Sequence, residues 1–262
     1  LCLMQFVGAP FTFSFQQVGT NCGLLGKNAC IEVDGAAYWM SENGFFTYDG
    51  QLKSMPCLVE DFVYDSINTT ARDLVNAGLN NLFGEITWFY CNSGSNVVNR
   101  QVTYNYLDST TQRPIWTTGS LARTAWQDSA VFGLPHATYY TASDNNSFDV
   151  TGNTDGTTIY YEQETGTDQV NAGGAVTAVI ANISSGDFDI TQRRSNTGQT
   201  VGMPDLRGDG EFIMRISRFI PDFIDQTGNT SIKFKTRIYP NSSQVTNTFT
   251  CTSSTTKKDV RI

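Results

Sequence analysis

Histidine is almost missing from this sequence: His136 is the only one in 262 residues. A Ser-His-Asp triad or a His-based metal site would have to be built on that single ring. Neither a G-x-S-x-G elbow nor a His pair at helical spacing occurs. His136 follows a proline in Leu-Pro-His-Ala and reads as a loop residue. Cys-His catalysis would need one of the six cysteines beside it in space, a placement that spacing does not give. Charge is also scarce, at 16% of residues, and positive charge is scarcest: 17 Lys+Arg stand against 25 Asp+Glu, a net of −8. That balance excludes a dedicated DNA-coating role, which needs a basic footprint to displace counterions from phosphate. It suits a self-avoiding surface, or the wall of a channel along which nucleic acid slides without sticking. No apolar run approaches the roughly 18 residues of a membrane span. Leu1-Cys-Leu-Met-Gln-Phe has neither the basic n-region nor the cleavage site of a signal peptide. There is no initiator Met, and the chain stops at Asp259-Val-Arg-Ile262 in what reads as a strand, so both ends are expected to be internal to a longer polypeptide.

The six cysteines (Cys2, Cys22, Cys30, Cys57, Cys91, Cys251) are sparse, irregularly spaced and contain no CxxC pair. A core of this size needs no staples. Most lie in apolar runs, as in Asn-Ala-Cys-Ile-Glu-Val and Trp-Phe-Tyr-Cys, so buried thiols are expected.

What is abundant points to strands. Aromatics reach 12% and Gly numbers 23, among many Ser, Thr and Asn. Such side chains pack well on a pleated, half-buried surface, and a chain this rich in aromatics does not read as disordered. Leu1 to Gly8 is a short apolar strand, and Phe11-Thr-Phe-Ser-Phe15 alternates with period two. Ala29–Val33, Ala36–Met40 and Phe45–Tyr48 are separated by Asp34-Gly35 and Glu42-Asn43-Gly44, with Asp49-Gly50 beyond them. Asp-Gly and Asn-Gly between apolar runs are strong hairpin signals, and three in a row predict a meander. A second group is expected from Leu82–Tyr90, Arg100–Tyr106, Ile115–Thr118 and Ala122–Trp126. A third, weaker one runs through Ala137–Tyr140, Thr158–Tyr161 and Ala175–Ile183. Multi-stranded units of roughly 40–50 residues are the signature of propeller blades, which bury their faces on their neighbours. One short helix is predicted at Thr69–Val75, capped by Asn68 or Thr69.

After Gly186 the texture changes. Asp187–Ile190 reads as a strand and Gln192–Gly210 as a loop. Long strands over Glu211–Phe219 and Ser231–Tyr239, joined by Pro221–Asn229, predict a hairpin with one apolar and one basic face. The fold class is therefore all-β: β-propeller-like four-stranded meander blades over residues 1–190, then a C-terminal β-hairpin region over 191–262, with one short helix.

Few constellations offer chemistry. The carboxylates Glu60-Asp61, Glu85, Glu162 and Glu164 are candidates for glycosidase work, but nothing in the sequence sets two of them across a cleft. Asn153-Thr-Asp-Gly156 resembles part of a calcium loop, yet Thr151 stands where an acid is needed, and a hairpin turn explains it. Arg207-Gly-Asp209 overlaps a Gly-Asp-Gly turn. Sequons at Asn68, Asn145, Asn182, Asn229 and Asn241 arise by chance in such a composition. No catalytic, cofactor or metal residue is assigned, and the chain reads as no enzyme. Basic residues gather in the last third: Arg193-Arg194, Arg215, Arg218, Lys233, Lys235, Arg237 and Lys257-Lys258. Arg215, Arg218, Lys233, Lys235 and Arg237 are candidates for contacting phosphate or an acidic neighbouring subunit. They equally fit a solvated strand face that discourages edge pairing.

The string Asn28-Ala-Cys-Ile-Glu-Val-Asp-Gly-Ala-Ala-Tyr-Trp-Met-Ser-Glu-Asn-Gly-Phe-Phe-Thr-Tyr-Asp-Gly50 resembles a segment of virion structural proteins of tailed bacteriophages. Met55-Pro-Cys-Leu-Val-Glu-Asp-Phe-Val63, Glu85-Ile-Thr-Trp-Phe-Tyr90, Thr117-Thr-Gly-Ser-Leu-Ala-Arg123, Gly186-Asp-Phe-Asp189 and Arg218-Phe-Ile-Pro-Asp222 continue it over nearly the whole chain. The resemblance is to tail tubular or nozzle-type proteins of short-tailed phages. It implies a propeller-containing subunit of the virion tail, made in the bacterial cytoplasm. Copies would form a ring around the tail axis with other tail proteins, and double-stranded DNA would pass through it. The alternatives are a carbohydrate- or host-surface-binding module of the virion and a polysaccharide-degrading enzyme. The first needs clustered exposed aromatics, the second paired carboxylates in a cleft.

Overall fold

The computed structural model describes residues 1–110, 113–141, 157–166, 168–170, 176–178, 182–185, 215–223, 226, 228–239, 241–252 and 258–259. The expected features at Asn145, Asn153–Gly156, Asp187–Ile190, Gln192–Gly210 and Arg207–Asp209 lie outside them. Strands and their antiparallel pairings dominate, and the chain divides into two compact units, residues 1–179 and 180–262.

The first unit opens with a two-stranded hairpin, β1 (Cys2–Phe6) and β2 (Phe13–Gln17). A four-stranded antiparallel meander follows: β3 (Cys30–Val33), β4 (Ala36–Ser41), β5 (Gly44–Tyr48) and β6 (Leu52–Met55), paired in that order. Its first turn is the one the sequence predicts. Asp34 and Gly35 both take positive φ, 50° and 82°, the geometry that lets a two-residue loop match the strand twist. The connection to the next sheet carries α1 (Glu60–Tyr64) and a 3₁₀ turn over Thr69–Leu74, where Asn68 Oδ1 accepts from the Thr70 amide at 3.0 Å. The expected helix after Asn68 is thus 3₁₀ and kinked at Ala71, and two short α-helices exist beyond it: α1, and α2 below. The second four-stranded meander is β7 (Asn76–Asn80), β8 (Glu85–Tyr90), β9 (Arg100–Asn105) and β10 (Ile115–Gly119). A third sheet joins β11 (Ala125–Gln127), β12 (His136–Thr141) and β13 (Thr157–Glu162), with α2 (Ser129–Phe132) between its first two strands. β14 (Asp168–Val170) and β15 (Val176–Ala178) form a separate pair.

Two expected groupings shift. Ala125–Gln127 does not complete the second sheet but starts the third, and the missing strand of the second sheet is Asn76–Asn80. The latter is polar and holds a glycine, so its pattern hides it. Of the expected strand Ala175–Ile183, the described residues Val176–Ala178 pair with Asp168–Val170.

The core lies between the first two sheets. Phe45 of β5 meets Trp88 of β8 at 5.0 Å and Trp116 of β10 at 4.7 Å between ring centroids, and Tyr104 meets Trp116 at 4.8 Å. Val33, Met40, Met55, Val63, Ile86 and Val102 close around them. Each such aromatic pair adds about 0.5–1.5 kcal/mol beyond its buried area. The indoles keep their donors satisfied, Trp88 on the Ala29 carbonyl at 3.0 Å and Trp116 on that of Pro56 at 2.8 Å. Strand β8 is buried on both faces at its end, Trp88–Tyr90, because both are covered there. Ile86, Trp88 and Tyr90 share the core of the first two sheets. Phe89, with Cys91 and Val98 beside it, packs on Trp126 of the third at 5.8 Å.

One edge unites the three sheets: their first strands lie side by side. Asn28, just before β3, bridges Asn76 of β7 in parallel fashion, and the Ala77 amide donates to the Asn28 carbonyl at 2.9 Å. On the other side of β7, Asn76 Nδ2 donates to the Arg123 carbonyl at 3.1 Å and Trp126 Nε1 to the Leu79 carbonyl at 2.7 Å.

In the second unit, β16 (Arg218–Phe219) pairs with β19 (Lys258–Asp259), and β17 (Thr230–Thr236) with β18 (Val245–Cys251). Among the described residues, only Arg218–Phe219 of the expected strand Glu211–Phe219 is paired, with β19, while residues 211–214 lie outside them. Pro221–Asn229 leads into β17, but that strand's partner follows it in sequence, across a turn at 237–244 where Ser242 Oγ accepts from the Ile238 and Tyr239 amides. Phe219, Phe234 and Phe249 cluster at centroid distances of 5.4–6.1 Å.

All six cysteines are free: Cys22, Cys91 and Cys251 are buried and Cys57 is half-buried. Cys30 is exposed despite its apolar neighbours, because β3 alternates and buries Val33 while half-burying Ile31. No helix among the described residues is long and apolar enough to cross a membrane.

Candidate functional site

The basic candidates fall into two groups. Strand β17 alternates as the sequence predicts, with Ser231, Lys233 and Lys235 exposed and Ile232, Phe234 and Thr236 half-buried. Lys233 stands opposite Thr248 and Lys235 opposite Thr246, so the exposed face presents two ammonium groups in a row of hydroxyls. No ion pair reaches either lysine among the described residues. Arg237 follows the strand and is exposed. Arg215 and Arg218 do not share this face. Arg215 precedes β16, and Arg218 lies within it opposite Asp259.

The charge of the chain is split between the two units. Residues 1–179 carry 6 Lys+Arg against 17 Asp+Glu, while residues 180–262 carry 11 against 8.

His136 lies on β12 rather than in a loop. Its ring stacks on Tyr160 of β13 at 5.3 Å, with Nδ1 2.5 Å from the tyrosine hydroxyl, and Phe132 of α2 meets it edge-on at 4.9 Å. The result is an aromatic ladder on the outer face of the third sheet, with Tyr160 64% and Phe132 63% exposed. Sequence alone did not reveal it, because His136 and Tyr160 meet only through the β12–β13 register. On the opposite face the Arg123 guanidinium covers the Tyr161 ring at 4.3 Å and donates to Gln163 Oε1 at 3.1 Å. Burial holds its pKa below the usual arginine range.

Of the candidate carboxylates, the structure brings together Glu85 and Glu164. Burial pushes the Glu85 carboxyl up, and the Glu164 charge adds to the effect. Glu164 Oε1 accepts from Asn80 Nδ2 at 3.0 Å, and Asn80 stands opposite Glu85 across β7 and β8. The pair thus belongs to the contact between the second and third sheets. Glu162 stands opposite His136 at one end of the third sheet, and Glu60 lies in α1 beside Gly44. Among the described residues no group of three His, Cys, Asp or Glu side chains is placed to hold a metal. The Asn68 sequon is engaged, its Nδ2 donating to the Ser95 carbonyl at 2.8 Å, while Asn182, Asn229 and Asn241 are exposed.

No family model matches the chain, and no curated protein matches it.

Proposed function

We propose that the chain is a structural subunit of a short-tailed bacteriophage tail, of the nozzle or tail-tubular type, which works by assembling with copies of itself around the DNA-ejection conduit. The observation that carries this reading is the row of first strands, β3, β7 and β11, along one edge of three successive antiparallel sheets. Blades of a propeller stand in this relation around their axis, and the sequence resemblance points to a propeller-containing tail protein. A ring of identical subunits needs two different, mutually complementary patches. The acidic first unit and the basic β17 face, with Lys233, Lys235 and neighbouring Arg237, supply them. A net negative subunit also leaves DNA mobile in transit. Antibody labelling of purified phage particles by electron microscopy tests the placement. Label at the tail supports it, and label on the capsid, or none on the particle, defeats it. The triple reversal Lys233→Glu, Lys235→Glu and Arg237→Glu should reduce assembled tails, and unchanged assembly would remove the contact role.

A second reading has one observation behind it. The exposed Phe132–His136–Tyr160 ladder is the kind of platform on which a sugar ring stacks, so glycan binding by the virion rim is the alternative. A glycan array separates the two, since a tail-wall subunit gives no saturable signal.

A further inference from the structure

The β1–β2 hairpin is an amphipathic sheet whose apolar side is largely exposed. Register places Met4 opposite Phe15 and Phe6 opposite Phe13 on one face, with Gln5 opposite Ser14 and Leu3 opposite Gln16 on the other. Met4 is 62% exposed, Phe6 67% and Phe15 73%, although the Phe6 and Phe13 rings already meet at 5.8 Å. Among the described residues β1 and β2 pair only with each other, and a two-stranded hairpin alone in water is marginal. Edge strands usually carry charge that deters pairing. Here no charged side chain occurs before Lys27.

The geometry points to a second copy of this chain as the occupant: the apolar face of the hairpin docks on the Phe132–His136–Tyr160 ladder of a neighbour. Three observations favour that occupant. The chain already packs sheet on sheet through aromatic faces twice, Phe45 on Trp88 and Phe89 on Trp126. Among the described residues of the first unit, hairpin and ladder are open aromatic faces, and register gives the outer face of the third sheet a single carboxylate, Glu162 at its end. Elsewhere the first unit, with 17 acids against 6 bases, repels its own copy, so the uncharged stretch is where two copies can approach. The same acidity, with no basic side chain in the sequence before Lys27, disfavours an anionic membrane surface. The contact is heterologous, so repetition gives a ring if it closes and a filament if it does not. It does not depend on the tail reading. A face this small predicts weak association, on the order of micromolar.

Sedimentation velocity of the 262-residue chain across a concentration series, with Phe15→Asp and Tyr160→Asp variants, tests the contact. Wild type should show concentration-dependent association. Each variant alone should be monomeric with a melting temperature near that of wild type, because both side chains are mostly exposed. An equimolar mixture of the two variants should recover heterodimers, since one intact hairpin then meets one intact ladder. Should Tyr160→Asp unfold, Phe132→Asp takes its place. A wild type that stays monomeric overturns the inference, as does association that survives Tyr160→Asp undiminished, which would mean that another contact, hairpin on hairpin or the β17 face on the acidic unit, holds the copies. Flotation with neutral phosphatidylcholine vesicles that is lost in Phe15→Asp would assign the face to lipid instead. Saturable glycan binding lost in Tyr160→Asp, without self-association, would assign the ladder to sugar.

Discussion

The backbone of Gly78 in β7 runs so close beneath the indole of Trp126 in β11 that a Cβ there would stand 2.6 Å from Trp126 Cγ. Trp126 cannot retreat easily. Its ring stacks on Phe89 at 5.8 Å, and its Nε1 is tied to the Leu79 carbonyl at 2.7 Å. This contact brings the first strands of the second and third sheets together. Gly78→Ala is therefore expected to destabilise the first unit by about 1–3 kcal/mol through overpacking. Urea unfolding followed by tryptophan fluorescence measures it. A change under half a kilocalorie would mean that the sheets slide freely past each other.

Trp88 is fully buried at the centre of the first two sheets and donates to the Ala29 carbonyl. Trp88→Ala removes the ring that Phe45 and Trp116 pack against. The expected loss is about 3–5 kcal/mol. Chemical denaturation should show it as a large fall in midpoint. Trp88→Phe, which keeps most of the volume, should lose clearly less.

Burial pushes the Cys91 thiol up to about 11 and the Cys57 thiol up to about 12, in the latter case with the Val59 amide opposing and Glu60 adding. The folded state therefore holds these protons where the unfolded chain, near 9.0, releases them. Their contribution to stability is complete below about pH 9 and is lost as pH rises through the folded values. Tyr64, Tyr90 and Tyr104 are raised by burial as well and act in the same direction. The urea midpoint should fall between pH 8 and pH 10.5, less steeply in Cys57→Ala. In native protein at pH 8, a thiol reagent should modify Cys2 first, Cys30 more slowly because burial pushes its thiol up, and leave Cys91 untouched until the chain unfolds.

Glu85 works against stability at neutral pH. Burial, then the Glu164 charge, raises its pKa, so the favourable contribution exists below the ordinary carboxylate range and disappears as pH rises through the folded value. Glu85→Gln should melt higher than wild type at pH 7, and the difference should vanish as pH falls below the carboxylate range. A lower melting temperature at pH 7 would instead mean that the ionised carboxylate makes a stabilising contact.

Much of the local structure was written in residue order. Asp34-Gly35 forced the first hairpin because both positions take positive φ, and alternation in Ser231–Lys235 placed those residues in a strand with distinct faces, while of Phe11–Phe15 only the residues from Phe13 on are strand. Asn68 capped the turn that follows it, although the turn is 3₁₀. Asn76–Asn80 escaped notice because its side chains are mostly polar or small, and it is a strand only through the neighbours on either side of it.

What the sequence determined by itself is the β-rich character of this protein, its meander turns, its acidity, and a single histidine for any imidazole chemistry. These follow from local rules: side-chain alternation, the φ that a turn demands, and a count of charges. Only the tertiary structure decided which strands share a sheet. It moved Ala125–Gln127 to the third sheet, paired Thr230–Thr236 with the strand after it, set Glu85 beside Glu164 and raised His136 into an aromatic ladder. Those outcomes depend on contacts between residues far apart in the chain. There, the packing and hydrogen bonding of Trp88, Trp116 and Trp126 outweigh any preference legible in a short window.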